Sequence, residues 1–251
     1  PDVDGASHSV EEGPEPANAA IAGQRNRKPQ TIIVGEGAAP LLPYQPWAAA
    51  RRREHLANVE TPTTWAHLEP EDRCLLNGVP RSNYRGNIQI LQRPGFVTML
   101  YEWNHAYRII PLDGRPHAPA AVRLWNGDSR GRWEGRTLVI DVTNFHVDAD
   151  AGRMQPWFDS HGSFYSDALR VTERWMRVDA DTIRYDATID DPKVFTRSWQ
   201  IGFNVVRVKE SGFELLEEAC REGERNTATM IEVGRRAKAA GQTGIHTHDQ
   251  K

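Results

Sequence analysis

With 251 residues, 39 % of them hydrophobic, the chain can bury one sizeable core but is lean for two. The 31 Lys and Arg against 34 Asp and Glu leave a net charge of −3, without the clustered basic excess that a nucleic-acid partner requires. No apolar run approaches the ~20 residues that span a bilayer.

Residues 1–43 are rich in Ala, Gly, Pro, Glu and Asn with no sustained period, and read as an extended or disordered N-terminal arm. The remainder, 44–251, reads as one domain. The chain starts at Pro1 without Met, which fits a mature product whose leader has been removed. "PWAAARRREHLANVE" predicts a helix started by Pro46, with Trp47 and Leu56 towards the protein and Arg51–Arg53 on the wet side. "LEPEDRCLLNGVPR" predicts a short helical turn and a loop ending at Pro80.

From residue 86 the period becomes two. "GNIQILQ", "FVTMLYEWN", "AYRIIPL", "RTLVIDVTNF", "YSDALRVTERWMRV", "DTIRYDATID", "VFTRSWQIGF" and "FELLEEAC" are eight predicted strands. Turn chemistry such as Arg93-Pro94-Gly95 and Asp190-Asp191-Pro192 joins most of them. "WNGDSRGRWEG" reads as a tight turn or hairpin with Trp125 and Trp133 packing on either side, and 144–164 as a long loop. A closing helix follows in "TATMIEVGRRAKAA". Eight strands without intervening helices predict a mainly β fold: an antiparallel sheet of about eight strands, curled or closed into a barrel, lipocalin-like, with short flanking helices.

Alternation places polar residues among apolar ones, the composition of a small-molecule pocket. On one strand Glu173 and Asp167 share a face with Leu169, Val171 and Trp175; on another Met99, Tyr101, Trp103 and His105 share a face opposite Glu102. Arg197 lies with Phe195 and Trp199, and Asn144 continues the Leu138–Ile140–Val142 face. Proton transfer near neutral pH suits an imidazole. The candidate catalytic set is therefore His105, Glu102, Glu173 and Arg108. The candidate substrate-binding set is Tyr101, Trp103, Asn144, His146, His161, Trp175, Arg197 and Trp199, with the 144–164 loop as a lid. Among His105, His117, His146 and His161 there is no HxH spacing, the chain has no HExxH, no CxxC and no nucleotide or flavin fingerprint, and its G-x-S-x-G match, Gly127–Gly131, lies in a stretch that no strand–loop–helix surrounds, so it is no nucleophile elbow. The expectation is a site without metal or cofactor. The two cysteines, Cys74 and Cys220, allow either two buried thiols or one disulfide.

"CLLNGVPR", "ILQRPGFVTMLYEWNHAYRIIPLDGRPH", "RLWNGDSRGRWEGRTLVIDVTNF", "SDALRVTERW" and "LEEACREG" together resemble a widespread group of exported bacterial proteins of unassigned activity, over roughly residues 70–225. The resemblance implies a periplasmic or secreted location and a Cys74–Cys220 disulfide. It marks Glu102, His105, Arg108, Asp113, His117, Asp128, Asp141, Asn144 and Glu173 as motif positions. The group carries His after "SDAL", where this chain has Arg170. Two functions follow as expectations. One is a cofactor-independent acid/base enzyme (lyase, dehydratase, isomerase or cyclase) acting on a small apolar or aromatic molecule. The other is a periplasmic carrier or sensor of such a molecule. Neither needs nucleic acid or a membrane span, and the sequence leaves the oligomeric state open, a homodimer included.

Overall fold

The computed structural model describes residues 19–22, 42–147, 155–220 and 226–242. Most of the predicted N-terminal arm, and the middle of the 144–164 loop, lie outside the described residues.

Two antiparallel meanders dominate. The first comprises β2 (Ile88–Arg93), β3 (Phe96–Tyr101) and β4 (Tyr107–Pro111). The second comprises β5 (Asp128–Glu134), β6 (Thr137–Thr143), β7 (Arg170–Arg177), β8 (Thr182–Asp190) and β9 (Trp199–Arg207). A short strand from the arm, β1 (Ala19–Ala22), lies between them and pairs antiparallel with β2 and β9. The strand order is β4-β3-β2-β1-β9-β8-β7-β6-β5.

The fold is thus mainly β and antiparallel, as expected, but the expected barrel closure is absent among the described residues: β4 pairs only with β3, and β5 only with β6. Direction explains the gap. Antiparallel steps from β4 along this order bring β5 back running the same way as β4, so closure would need one parallel ladder of different hydrogen-bond spacing. Side chains bridge the seam instead. At Gly131 of β5 an added Cβ would lie 2.7 Å from a Leu112 methyl and 2.8 Å from an Ile110 methyl.

That glycine also explains why β5 does not show in the sequence. "DSRGRWE" has Ser129 and Gly131 at its inward positions, where an alternating pattern requires large apolar residues. Two other differences concern strand ends. "VFTRS" is a turn ahead of β9, tied down by Asp191, whose carboxylate accepts from Ser166 N at 2.6 Å and from Lys193 N at 3.2 Å. "FELLEEAC" is no strand; it runs irregularly beside Glu102, whose Oε1 accepts from Leu216 N and whose carbonyl accepts from Glu218 N.

Helix α1 (Pro46–Glu60) starts at the predicted proline, but it presents Ala48 and His55 inward while Trp47 is 53 % exposed. The end helix α2 (Asn226–Ala239) stands where the closing helix was expected. The His55 ring stacks on Trp157 at 5.1 Å and meets Phe164 edge-on, with Nδ1 3.3 Å from the Gly162 carbonyl. Burial pushes its pKa down to about 4. The unfolded chain therefore takes up a proton between about pH 6.5 and 4 that the folded chain refuses, and stability falls as pH drops through that window. The expected loss is at most about 3 kcal/mol, from roughly 1.36 kcal/mol per pKa unit. Urea midpoints at pH 7 and 4.5 check it: His55→Gln should narrow the difference between them, and an unchanged difference would show that other groups carry the acid sensitivity.

Candidate functional site

The interior is sealed by a polar network that spans the two meanders. Glu173 of β7, fully buried, receives Arg108 Nη2 of β4 at 2.5 Å and Arg108 Nη1 at 3.3 Å. Its Oε1 also accepts from Asn83 Nδ2 at 2.6 Å and from the Tyr185 hydroxyl at 3.0 Å. The Tyr101 hydroxyl donates to Asn83 Oδ1 at 2.9 Å, and Arg108 Nη2 also donates to Ser129 Oγ at 3.0 Å. Burial alone would lower the Arg108 pKa, but the Glu173 charge more than offsets it, so the guanidinium is held protonated. Burial raises the Tyr101 and Tyr185 hydroxyls, and the nearby Glu173 charge raises both further. Trp175 packs against Tyr185 with ring centres 4.6 Å apart. Period two foresaw Glu173, Trp175 and Tyr101 as inward. It could not show that Glu173 would be consumed by an ion pair.

His105 lies elsewhere. The chain leaves β3 at Tyr101 and makes a tight turn through Trp103–His105, with positive φ at Asn104 (56°) and His105 (40°). Strand alternation therefore stops before His105, whose side chain is 59 % exposed and 3.6 Å from the Glu217 carboxylate. Trp103 is half-buried in the same turn, with the Arg85 guanidinium 5.9 Å from its ring centre. Glu102 serves the fold: its Oε2 accepts from Asn87 N at 2.9 Å and Asn87 Nδ2 at 2.7 Å. So the four predicted catalytic residues divide: Arg108 with Glu173 inside, His105 outside, and Glu102 clamped between chain segments.

Other predicted binding residues also separate. Arg197 is exposed in the turn before β9, while Trp199 packs on Phe158 and Phe195. Asn144 follows β6 with positive φ and donates to the Ala118 carbonyl at 2.9 Å. The predicted lid is partly core, because Trp157, Phe158 and Phe164 are buried, and its His161 is exposed. His146 meets the Trp125 ring edge-on at 4.5 Å.

A cleft of about 650 Å³ opens where the β4–β5 ladder is missing. Its walls are Tyr107 and Ile109 from the outer face of β4, opposite Leu124 and Trp125, with Cys74 and Leu76 at one side. Arg108, Asn126, Asp128 and Ser129 form its polar lining, and His105 stands beside them. Tyr107 and Ile109 are 63 % and 57 % exposed, and Leu124 43 %. Among the predicted site residues only His105 and Arg108 line this cleft. Tyr107 and Ile109 escape sequence reasoning because outward apolar residues on a strand look like ordinary surface, and Leu124, Trp125 and Asn126 because they lie in the turn ahead of β5, outside any strand pattern. The unpaired edge beside them makes them a wall, and pairing is invisible in a single sequence.

Next to the cleft, His117 fastens the loop after β4 to the second meander. Its Nδ1 is 2.8 Å from Asp128 Oδ2 and its Nε2 is 3.1 Å from Asp141 Oδ2. Arg130 Nη1 reaches Asp128 Oδ1 at 2.7 Å, and Arg170 reaches Asp141 Oδ2 at 3.1 Å. Each polar member thus has an opposite charge or a hydrogen-bonding partner, the pattern of a closed surface network. Among the described residues no group of three or more His, Cys, Asp or Glu is placed to hold a metal ion. No protein-family model, no curated protein and no solved structure matches this chain.

Proposed function

We propose that the protein binds a small, largely apolar or aromatic molecule in the cleft between β4 and β5, as a carrier or sensor. The observation that carries this reading is the pairing of an apolar, aromatic wall with an unclosed sheet seam. Apolar groups this exposed on a strand edge invite either a ligand or aggregation, and a cleft of this size is within the range of ligand pockets. In shape the curled sheet is read as an incompletely closed, lipocalin-like barrel whose mouth is the seam. The Cys74–Cys220 disulfide suits an oxidising compartment, and among the described residues no helix is long and apolar enough to cross a membrane. The disulfide supports export to the periplasm or beyond.

The test is titration with the neutral fluorescent probe N-phenyl-1-naphthylamine. Wild-type protein should enhance its emission saturably, and Ile109→Glu should weaken binding at least about tenfold, since it sets a charge in the apolar wall. Because Ile109 is exposed, the variant's melting temperature should hold. Unchanged affinity in the folded variant would remove the cleft from consideration.

Acid/base turnover is the second reading, favoured by the His105–Glu217 pair beside the cleft. It calls for product formation from a bound ligand that His105→Gln abolishes without loss of probe binding.

A further inference from the structure

Backbone strain gathers around this cleft. Four non-glycine residues among those described have positive φ: Cys74 (59°), Asn104 (56°), His105 (40°) and Asn144 (58°). Three of them, Cys74, Asn104 and His105, line the cleft. Such backbone is uncommon outside glycine, persists only where neighbours hold it, and clusters at ligand-binding sites. Here Asn104 Nδ2 donates to the Cys74 carbonyl at 2.9 Å, and His105 N donates to the Glu102 carbonyl at 3.3 Å.

What the held turn presents is an imidazole. His105 is the first of five consecutive cleft-lining residues, 105–109, so it stands at the end of the wall that Tyr107 and Ile109 make. The Glu217 carboxylate lies 3.6 Å from its Nδ1, and its Nε2 has no partner among the described residues. That pair is not needed to fasten the 213–220 segment. Leu216 N and Glu218 N already bond to Glu102, and the disulfide holds Cys220. An exposed ion pair adds little to such an anchorage. A carboxylate on the Nδ1 side favours the proton on that nitrogen, which leaves Nε2 as an acceptor. The other charged lining groups are matched within the protein: Arg108 by Glu173, and Asp128 by Arg130 and His117.

We infer that the cleft takes a phenolic molecule, its ring against Tyr107 and Trp125 and its hydroxyl donating to His105 Nε2. This deepens the reading above and rests on the cleft being the binding site.

The experiment is isothermal titration of the whole protein with 2-naphthol, 2-methoxynaphthalene and 2-naphthoate at about pH 7.5 and about pH 5.5, either side of the imidazole range. The methyl ether keeps the body of the naphthol and cannot donate. At the higher pH 2-naphthol should bind at least about threefold tighter than the ether. His105→Ala should abolish that advantage and leave the ether within about twofold. His105→Phe, which keeps a ring and loses both nitrogens, should lose the same preference. Both variants should fold, because the side chain is 59 % exposed. At the lower pH an imidazolium donates through Nε2 instead of accepting. The naphthol advantage should then shrink and 2-naphthoate should gain at least about threefold, in wild type but not in His105→Ala. His117 and His146, also near the cleft, are common to both proteins, so the difference between them reports His105. Equal affinity for the naphthol and its ether in wild type, or an advantage that survives both variants, overturns the His105 anchor and leaves the cleft standing. If none of the three compounds binds, the cleft reading itself fails and this inference with it.

Discussion

Glu173→Leu should lower the free energy of unfolding by about 3–5 kcal/mol, the usual result of stranding one partner of a buried ion pair. The variant leaves Arg108, 3 % exposed, without its carboxylate, and leaves Asn83 and Tyr185 without their shared acceptor. Arg108→Met together with Glu173→Leu should recover most of that loss. Apolar replacement of both charges removes the desolvation penalty along with the attraction. Guanidinium denaturation of the two single variants and the double variant forms the cycle. A double variant no more stable than either single would mean that Asn83, Tyr101 and Tyr185, rather than the ion pair, carry the stability of the network. The expected result also bears on function. A carboxylate whose removal costs this much through the fold is already committed to Arg108, and a proton carrier at the cleft must come from elsewhere.

The sequence discloses the inside of this sheet better than its edges. Val97, Met99 and Tyr101, and then Val171, Glu173 and Trp175, alternate inward as period two requires, because both meanders bury one face. It misleads where the chain leaves the ladder. His105 carries the parity of Met99 and Tyr101, yet β3 ends at Tyr101 and the turn that follows, with positive φ at Asn104 three residues on, leaves the imidazole outward. Asn is among the residues that tolerate this conformation, so "WNH" held a turn signal that alternation overrode. β5 fails to show for the opposite reason: its inward positions are small so that Ile110 and Leu112 can cross the seam. The cleft depends on that seam and on which strands lack a neighbour. That is a long-range property of the pairing, whereas turn and periodicity signals are local. Asn126 and Trp125, inside a segment read as a turn, therefore become legible only once β4 and β5 stand on either side of them.

Removing the Cys74–Cys220 disulfide should be the most damaging covalent change to this protein. The bond closes 146 residues of sequence separation. In the chain-entropy model a loop this long confines the unfolded chain by up to ~5 kcal/mol, and loss of a native bridge commonly costs ~2–5 kcal/mol. The bridge also has a local task. Cys74 lines the cleft, and Cys220 anchors the 213–220 segment that carries Glu217 against His105 and Leu216 and Glu218 against Glu102. Thiol titration of the unfolded, unreduced protein should find no free thiol. Cys74→Ala/Cys220→Ala should melt well below wild type, and its amides around Glu102 and Leu216 should exchange faster than those of β6–β8. Local exchange separates the two contributions. If the variant loses stability but the 213–220 amides remain protected, the bridge acts on the unfolded chain alone, and the contacts of Glu102 suffice to hold the segment. If protection there collapses while the sheet remains closed to exchange, the disulfide is what fixes the side of the cleft where His105 stands.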